Sequence, residues 1–290
     1  MTTNPETTNT ETTNTETTNP RTWFITGTSR GLGRLWADAA LRRGDRVAAT
    51  ARDVGSLDDL VAAHGDAVLP LQLDVTDRAA VFAALARTTE RFGRLDVVVN
   101  NAGYGQFGAV EELGEADLRA QMETNFFGAV WVLQAALPVL RAQGSGHLVN
   151  VSSEGGLRAF PGIGAYHASK WALEGLSEAL AKEVAGLGIR VTDIAPGPYG
   201  TGWLEVGARH SAPIAAYDPL RKDTGTFERG DPAATVPALF AVVDSDEPPL
   251  RVFFGRSFEP TREDYRARIA EWERWQPVAL AAFGSPATAR

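Results

Sequence analysis

The chain contains no cysteine. Disulfides, thiolate nucleophiles and cysteine metal sites are therefore excluded. Histidine is scarce: His64, His147, His167 and His210 have no metal-ligand spacing, so no metal centre is expected. Lysine occurs only at Lys170, Lys182 and Lys222. Basic excess is missing too. The formal net charge is -8, which argues against nucleic acid or an anionic membrane as the main partner. No apolar run is expected to reach transmembrane length. The first residues lack the basic and apolar regions of a signal peptide, so the expectation is a cytoplasmic protein. What is present suits a globular chain: 290 residues, 44% of them hydrophobic and 22% charged, long enough for one large α/β domain.

Residues 1–20 form a Thr-Thr-Asn-x-Glu repeat with almost nothing to bury, and are expected to be disordered. The texture changes at Thr22, which opens a domain over residues 21–290. Thr22-Trp23-Phe24-Ile25-Thr26 reads as a buried strand running into Gly27-Thr28-Ser29-Arg30-Gly31-Leu32-Gly33 and then a helical pattern. Strand, glycine turn and helix N-terminus in that order make an anion site, because backbone N–H groups and the helix dipole face a phosphate. The spacing is Gly-x-x-x-Gly-x-Gly, not the commoner Gly-x-Gly-x-x-Gly, and alone it also fits an ordinary turn. A second strand, Arg46–Thr50, completes a βαβ unit. The residues after it are Ala51 and Arg52. An arginine here can pair with a 2′-phosphate, and Arg30 can add a second cation. The alternatives are a solvated Arg52 and Asp53 as a ribose ligand.

A third strand, Val68–Val75, carries Asp74 at the ligand-side end of an open sheet. The fourth, Leu95–Val99, runs into Asn100-Asn101-Ala102-Gly103, followed by Tyr104 and Phe107. Glu115–Leu140 reads as one long helix containing Asn125. The fifth strand, His147–Val151, leads to Ser152 and Ser153. After Pro161-Gly162 a helix carries Tyr166 and Lys170, which at i and i+4 share one face. An ammonium beside a phenol is expected to lower the phenol's pKa from about 10. A sixth strand, Ile189–Ile194, ends in Ala195-Pro196-Gly197-Pro198. Residues 198–229 show little periodicity and read as a substrate loop or lid. A capped helix from Asp231, a seventh strand Arg251–Phe254 and a helix over about 260–275 finish the pattern. Strands alternating with helices give a Rossmann-type, doubly wound parallel sheet of about seven strands.

These motifs, in this order, resemble the short-chain dehydrogenase/reductase family over about Thr22–Phe258. The resemblance implies hydride transfer between a nicotinamide cofactor and a carbonyl or secondary alcohol. It implies a catalytic tetrad of Asn125, Ser153, Tyr166 and Lys170, with Ser153 preferred to Ser152 by spacing. Its implied cofactor residues are Gly27, Ser29, Arg30, Gly31, Leu32, Gly33, Arg52, Asp74, Asn101, Ala102, Gly103, Tyr166, Lys170, Pro196, Gly197 and Thr201. Lys170 would hold the nicotinamide ribose, and Asn125 would anchor a relay water. The two arginines favour NADP(H) over NAD(H). Tyr104, Phe107, Phe160, Tyr199 and Trp203, with Phe227, would line a pocket for a hydrophobic ketone or aldehyde. The ending resembles NADP-dependent ketone reductases. A homodimer or homotetramer, paired through the helices carrying Asn125 and Tyr166, is the family's default. An NAD-preferring alcohol dehydrogenase is the nearest alternative. A cofactor-sensing regulator would have lost Tyr166 or Lys170, and a sugar-nucleotide epimerase would need a further C-terminal domain.

Overall fold

A computed structural model describes residues 20–222 and 228–284. The Thr/Asn/Glu repeat and Phe227 lie outside the described residues.

The strands are β1 (Thr22–Ile25), β2 (Arg46–Ala51), β3 (Val68–Gln72), β4 (Val97–Asn100), β5 (Gly105–Phe107), β6 (Gly146–Val151), β7 (Ile189–Pro196), β8 (Ala208–His210) and β9 (Arg251–Phe254). Seven form one parallel sheet in the order β3-β2-β1-β4-β6-β7-β9. The helices are α1 (Gly31–Arg42), α2 (Asp58–His64), α3 (Arg78–Phe92), α4 (Glu115–Met122), α5 (Gly128–Gln143), α6 (Gly164–Val184), α7 (Trp203–Val206), α8 (Asp218–Lys222), α9 (Thr235–Val243) and α10 (Phe258–Phe283).

The central strands are apolar at consecutive positions because both faces of the sheet are covered. Alternation then sorts the side chains. Trp23, Ile25, Val97 and Val99 pack with Trp36, Ala40, Leu60, Leu239 and Val242 from α1, α2 and α9. Phe24, Val98 and Leu148 point the other way, onto Val81, Leu85, Val132, Leu140 and Leu180 of α3, α5 and α6. The chain reverses direction across the sheet between β1 and β4, and the crevice at their carboxyl ends is where such a sheet binds ligands.

The seven expected strands are all found, as is the predicted Rossmann-type doubly wound sheet. Four readings change. The helix expected over Glu115–Leu140 is α4 and α5 joined by a π-helical turn at Glu123–Phe127. Taken whole, Glu115–Gln143 is long and apolar enough to cross a membrane, contrary to the expectation of no such run. Val132, Leu133, Ala136 and Leu140 are nevertheless packed into the sheet core. The unperiodic stretch after Pro198 is built of short elements: α7, β8 paired in parallel with β5, and α8. Tertiary contacts order them. The buried Glu112 carboxylate accepts from the Ile214 N–H and from Arg221, both at 2.7 Å, and Tyr217 donates to Glu111 at 2.6 Å. Finally, α10 runs on through Pro277 to Phe283, where Gly284 with φ +66 follows it.

Candidate active site

The glycine turn after β1 is locked onto the end of β4. Thr26 Oγ1 accepts from the N–H groups of Asn101 (2.9 Å) and Ala102 (3.0 Å). Asn101 Nδ2 donates to the carbonyls of Thr26 (2.9 Å) and Gly27 (3.0 Å). Asn101 therefore acts on the turn itself. Thr26 was not singled out from the sequence, because one threonine ending a strand carries no motif. A Cβ on Gly33 would collide with Asn101 Nδ2 and stand 2.6 Å from the Gly27 oxygen. Gly27 and Gly31 have φ +72 and +62, the region glycine tolerates. The N-terminus of α1 has no side-chain cap, so its N–H groups remain for an anion. Thr201 faces the turn, its Cβ 3.6 Å from where a Cβ on Gly31 would stand.

Thr28 donates to the Thr50 carbonyl through both N–H (2.9 Å) and Oγ1 (3.0 Å), so Ser29-Arg30 and Arg52 leave the same edge of the sheet. Arg30 and Arg52 are exposed and make no hydrogen bond or ion pair among the described residues. Asp53 is committed elsewhere: its carboxylate caps the turn Val54–Leu57, accepting from the Gly55 N–H at 3.1 Å. Asp74 is exposed just past β3, with Oδ1 held by the Thr76 N–H (3.0 Å) and hydroxyl (2.8 Å). Pro196 ends β7, and the Gly197 N–H donates to the Phe254 carbonyl at 2.9 Å. An open helix N-terminus, a backbone cradle without side chains and two uncommitted guanidinium groups fit a phosphorylated dinucleotide.

The tetrad converges on the end of β6. Ser153 hydrogen-bonds the Tyr166 phenol, and its Oγ accepts from the Gly155 N–H at 3.0 Å. Ser152 turns the other way: its Oγ is buried near Glu174, 2.6 Å from where a Cβ on Gly156 would stand. The choice of Ser153 over Ser152 thus has a geometric basis. Asn125 sits in the π-helical turn, a distortion common at functional sites. Its Nδ2 donates to the Tyr104 carbonyl (2.9 Å) and to Ser169 Oγ (3.1 Å), and its Oδ1 accepts from the Tyr104 N–H (3.1 Å). Its side chain is therefore spent on holding the β4–β5 connection. Gly103 lies between Asn125 and Lys170: a Cβ there would stand 3.2 Å from Asn125 Oδ1 and 3.8 Å from Lys170 Nζ. His167 was also missed, since the sequence marks it only as a neighbour of Tyr166. It bridges the Gly155 carbonyl and the Phe160 N–H, both at 2.8 Å, and burial pulls its pKa down. It ties the Ser153 loop to α6.

One electrostatic expectation is overturned. The Tyr166 phenol is pushed up to about 12, by burial first, with the Ser153 hydrogen bond opposing. Lys170 does not lower it, because its amine lies 5.8 Å from the ring centre and donates to the Val151 carbonyl at 2.7 Å. Burial in turn brings Lys170 down to about 8, against the pull of Glu174 and Asp193. Tyr166 keeps some accessible surface in the cleft.

The expected pocket residues divide. Trp203 packs edge-on to Tyr166 (5.4 Å between rings) and to Phe107 (6.1 Å), which stacks on His210 (5.1 Å). Trp203 also rests on Gly105, where a Cβ would collide with its ring. Phe160 is at the rim, 5.4 Å from the His167 ring. Tyr104 keeps its ring under Arg209 at 4.3 Å. Tyr199 packs on Gly230 and against the core cluster that includes α1 and α9, where the Gly230 N–H donates to the Pro198 carbonyl at 3.0 Å. Among the described residues no group of three or more His, Asp or Glu side chains could hold a metal ion.

The family model described as short chain dehydrogenase matches residues 21–209. The chain belongs to this family. Oxidoreductase BOA17 of Botryotinia fuckeliana is 42% identical over 275 residues, 90% of this chain and 98% of the relative. A crystal structure of a short-chain dehydrogenase from Streptomyces avermitilis superposes with TM-score 0.85 at 40% identity, covering 90% of this chain and 98% of that one. A Burkholderia cenocepacia short chain dehydrogenase in complex with NADP gives TM-score 0.69 at 26% identity, covering 88% and 96%. The protein is thus a short-chain dehydrogenase/reductase acting on CH–OH or C=O groups with a nicotinamide cofactor.

Proposed function

We propose that this short-chain dehydrogenase is an NADP(H)-dependent reductase of hydrophobic ketones or aldehydes, working as a homodimer or homotetramer. The observation that carries the cofactor reading is the pair Arg30 and Arg52, exposed and uncommitted at the glycine turn, while Asp53 is spent on its own turn. The substrate reading is supported by the aromatic lining of Trp203 and Phe107 over Tyr166. The assembly reading is supported by the apolar outer residues of α5, such as Trp131 and Val139, which remain partly accessible.

Bound nicotinamide would supply the hydride. The glycine turn and the α1 N-terminus would bind its pyrophosphate, Asp74 its adenine, and Lys170 its ribose. Ser153 then donates to the carbonyl oxygen as negative charge gathers there. Tyr166 gives that oxygen its proton. A phenol held near 12 stays protonated throughout the working range, which supports reduction as the favoured direction. Trp203 excludes water from the phenol and sets the width of the site.

The test is a titration of the purified protein with NADPH and with NADH, followed by reduced-nicotinamide fluorescence, then a panel of ketones. At least tenfold tighter NADPH binding is expected. Tighter NADH binding would make this an NAD-preferring alcohol dehydrogenase.

A further inference from the structure

Behind the catalytic face of α6 lies a buried acidic pair that the reaction does not use. Tyr166, Lys170 and Glu174 follow one another at four-residue steps, so Glu174 is one turn beyond the lysine on the same stripe. Glu174 is buried, and it meets Asp193 of β7, which is completely buried. The surroundings supply an unequal set of donors. Arg251 of β9, the register partner of Asp193, passes it by. Its Nε donates to Glu174 Oε2 at 2.6 Å, and its Nη2 reaches Glu178 Oε2 at 3.0 Å. Asp193 Oδ1 accepts from Asn150 Nδ2 at 3.2 Å and lies within reach of Ser177. Asn150 is itself fixed by Asn100 (2.9 Å) and Ser177 (2.9 Å).

Two oxygens are left over. Glu174 Oε1 and Asp193 Oδ2 are buried with no donor. Each would carry a heavy cost as an unpaired buried carboxylate oxygen. Yet the two carboxyl groups are brought to one place: Asn150 Nδ2 bonds both Asp193 and Ser177, three residues along α6 from Glu174, and Arg251, opposite Asp193 in the sheet, bonds Glu174. A proton between them satisfies both oxygens at once. A single arginine then balances the one charge that remains, and Glu178 stays at the exposed edge of the cluster. Like charges this close cannot both ionise in the interior.

We propose that Asp193 and Glu174 hold one proton between them, and that the single negative charge left on the pair positions Lys170 as an ammonium from the next turn of α6. Both carboxyls act on Lys170 in the direction that keeps its proton on, against the burial that would strip it. Asp193 and Glu174 are positioning residues in this scheme, since neither touches Tyr166. The lysine half of the inference rests on the reading of Lys170 as part of the catalytic site; the shared proton does not.

Two measurements on the full chain decide it, and neither needs turnover. The first is infrared difference spectroscopy of the carboxyl C=O band between pH 6.5 and pH 9.5, in the wild type and in Asp193→Asn. A protonated-carboxyl band is expected at pH 6.5 in the wild type, lost at pH 9.5 and absent from the variant. Absence of any such band in the wild type overturns the shared proton, whether or not the variant folds. The second is 15N NMR of lysine-labelled protein. With three lysines in the chain, Lys170→Arg assigns the buried signal. Glu174→Gln is expected to lower the titration midpoint of Lys170 by at least half a pH unit, with Lys182 unmoved. A midpoint equal to the wild type's overturns the positioning role. Should Glu174→Gln fail to fold, Asp193→Asn serves. It is expected to leave the midpoint lower than the wild type's above pH 8, where the wild-type pair gains its second charge.

Discussion

The two residues that matter most fail in different ways when changed. Tyr166 is the only phenol in contact with Ser153 among the described residues, and no neighbouring group replaces its proton. Tyr166→Phe is therefore expected to lower kcat by about 10²–10⁴, the worth of a positioned general acid. NADPH affinity should change little, because the glycine turn and both arginines are untouched. Steady-state kinetics beside a fluorescence titration check both halves, and near-normal turnover would remove Tyr166 from the mechanism. Arg52 should show the reverse pattern. Its partner would be an exposed 2′-phosphate, so a charge-assisted hydrogen bond of about 1.5–3 kcal/mol is the appropriate scale. Arg52→Ala is expected to weaken NADPH by roughly ten- to a hundredfold and to leave NADH unchanged. The loss should shrink at high salt, since both groups face water. Equal losses for the two cofactors would count against the arginine reading.

At the scale of elements, α7 shows what periodicity hides. Its one turn, Trp203–Val206, has too few residues to register as a helix, and it holds its place because Trp203 lies on Gly105 and Tyr166. Trp203→Ala should open the cleft over the phenol. We expect KM for small ketones to rise, bulky ketones to become better substrates, and cofactor affinity to stay put. A substrate panel at saturating NADPH reads this, and an unchanged size profile would show that Trp203 only packs. The long strands were legible because both sheet faces are covered and their apolar runs are unbroken. That Asn125, Ser153, Tyr166 and Lys170 gather in one place was legible because they repeat a family spacing. Three things were not. The π-helical turn at Asn125 leaves the helical pattern of Glu115–Gln143 intact in sequence, and only the backbone bond from the Gly128 N–H to the Glu123 carbonyl, five residues back, reveals it. The clamp of Thr26 on Asn101 joins residues 75 apart. The high pKa of Tyr166 depends on where the Lys170 amine points, and helical spacing fixes a shared face but not a rotamer.

For the whole molecule, buried titratable groups on the sheet set how stability depends on pH. His147 on β6 is buried, with Nε2 bonded to Thr192 Oγ1 at 2.9 Å and Nδ1 without a partner. The Thr192 hydroxyl already donates to the Pro249 carbonyl, so Nε2 carries the ring's hydrogen and the imidazole is neutral. Burial, with Arg190 and Arg21 adding to it, depresses its pKa to about 4. An unfolded histidine titrates near about 6.5. Between those values the unfolded chain binds a proton that the folded chain refuses, so folding stability falls as pH drops from about 6.5 towards 4. The slope is about 1.4 kcal/mol per pH unit, on the order of 3 kcal/mol across the window. Asp193 works in the opposite sense: its pKa is raised to about 8, so its contribution is full at low pH and is lost as pH rises to 8. Over the acid window the two slopes oppose, so each masks part of the other. His147→Gln removes only the acid-side term. Urea unfolding at pH 4.5, 5.5, 6.5 and 7.5 should then show the variant gaining on the wild type as pH falls, by about 2–3 kcal/mol between the extremes. The carboxylates of the surface cancel in that difference, because both proteins carry them. Parallel curves would mean that His147 accepts its proton in the folded state, and that the β6–β7 interior admits a charge beside Thr192.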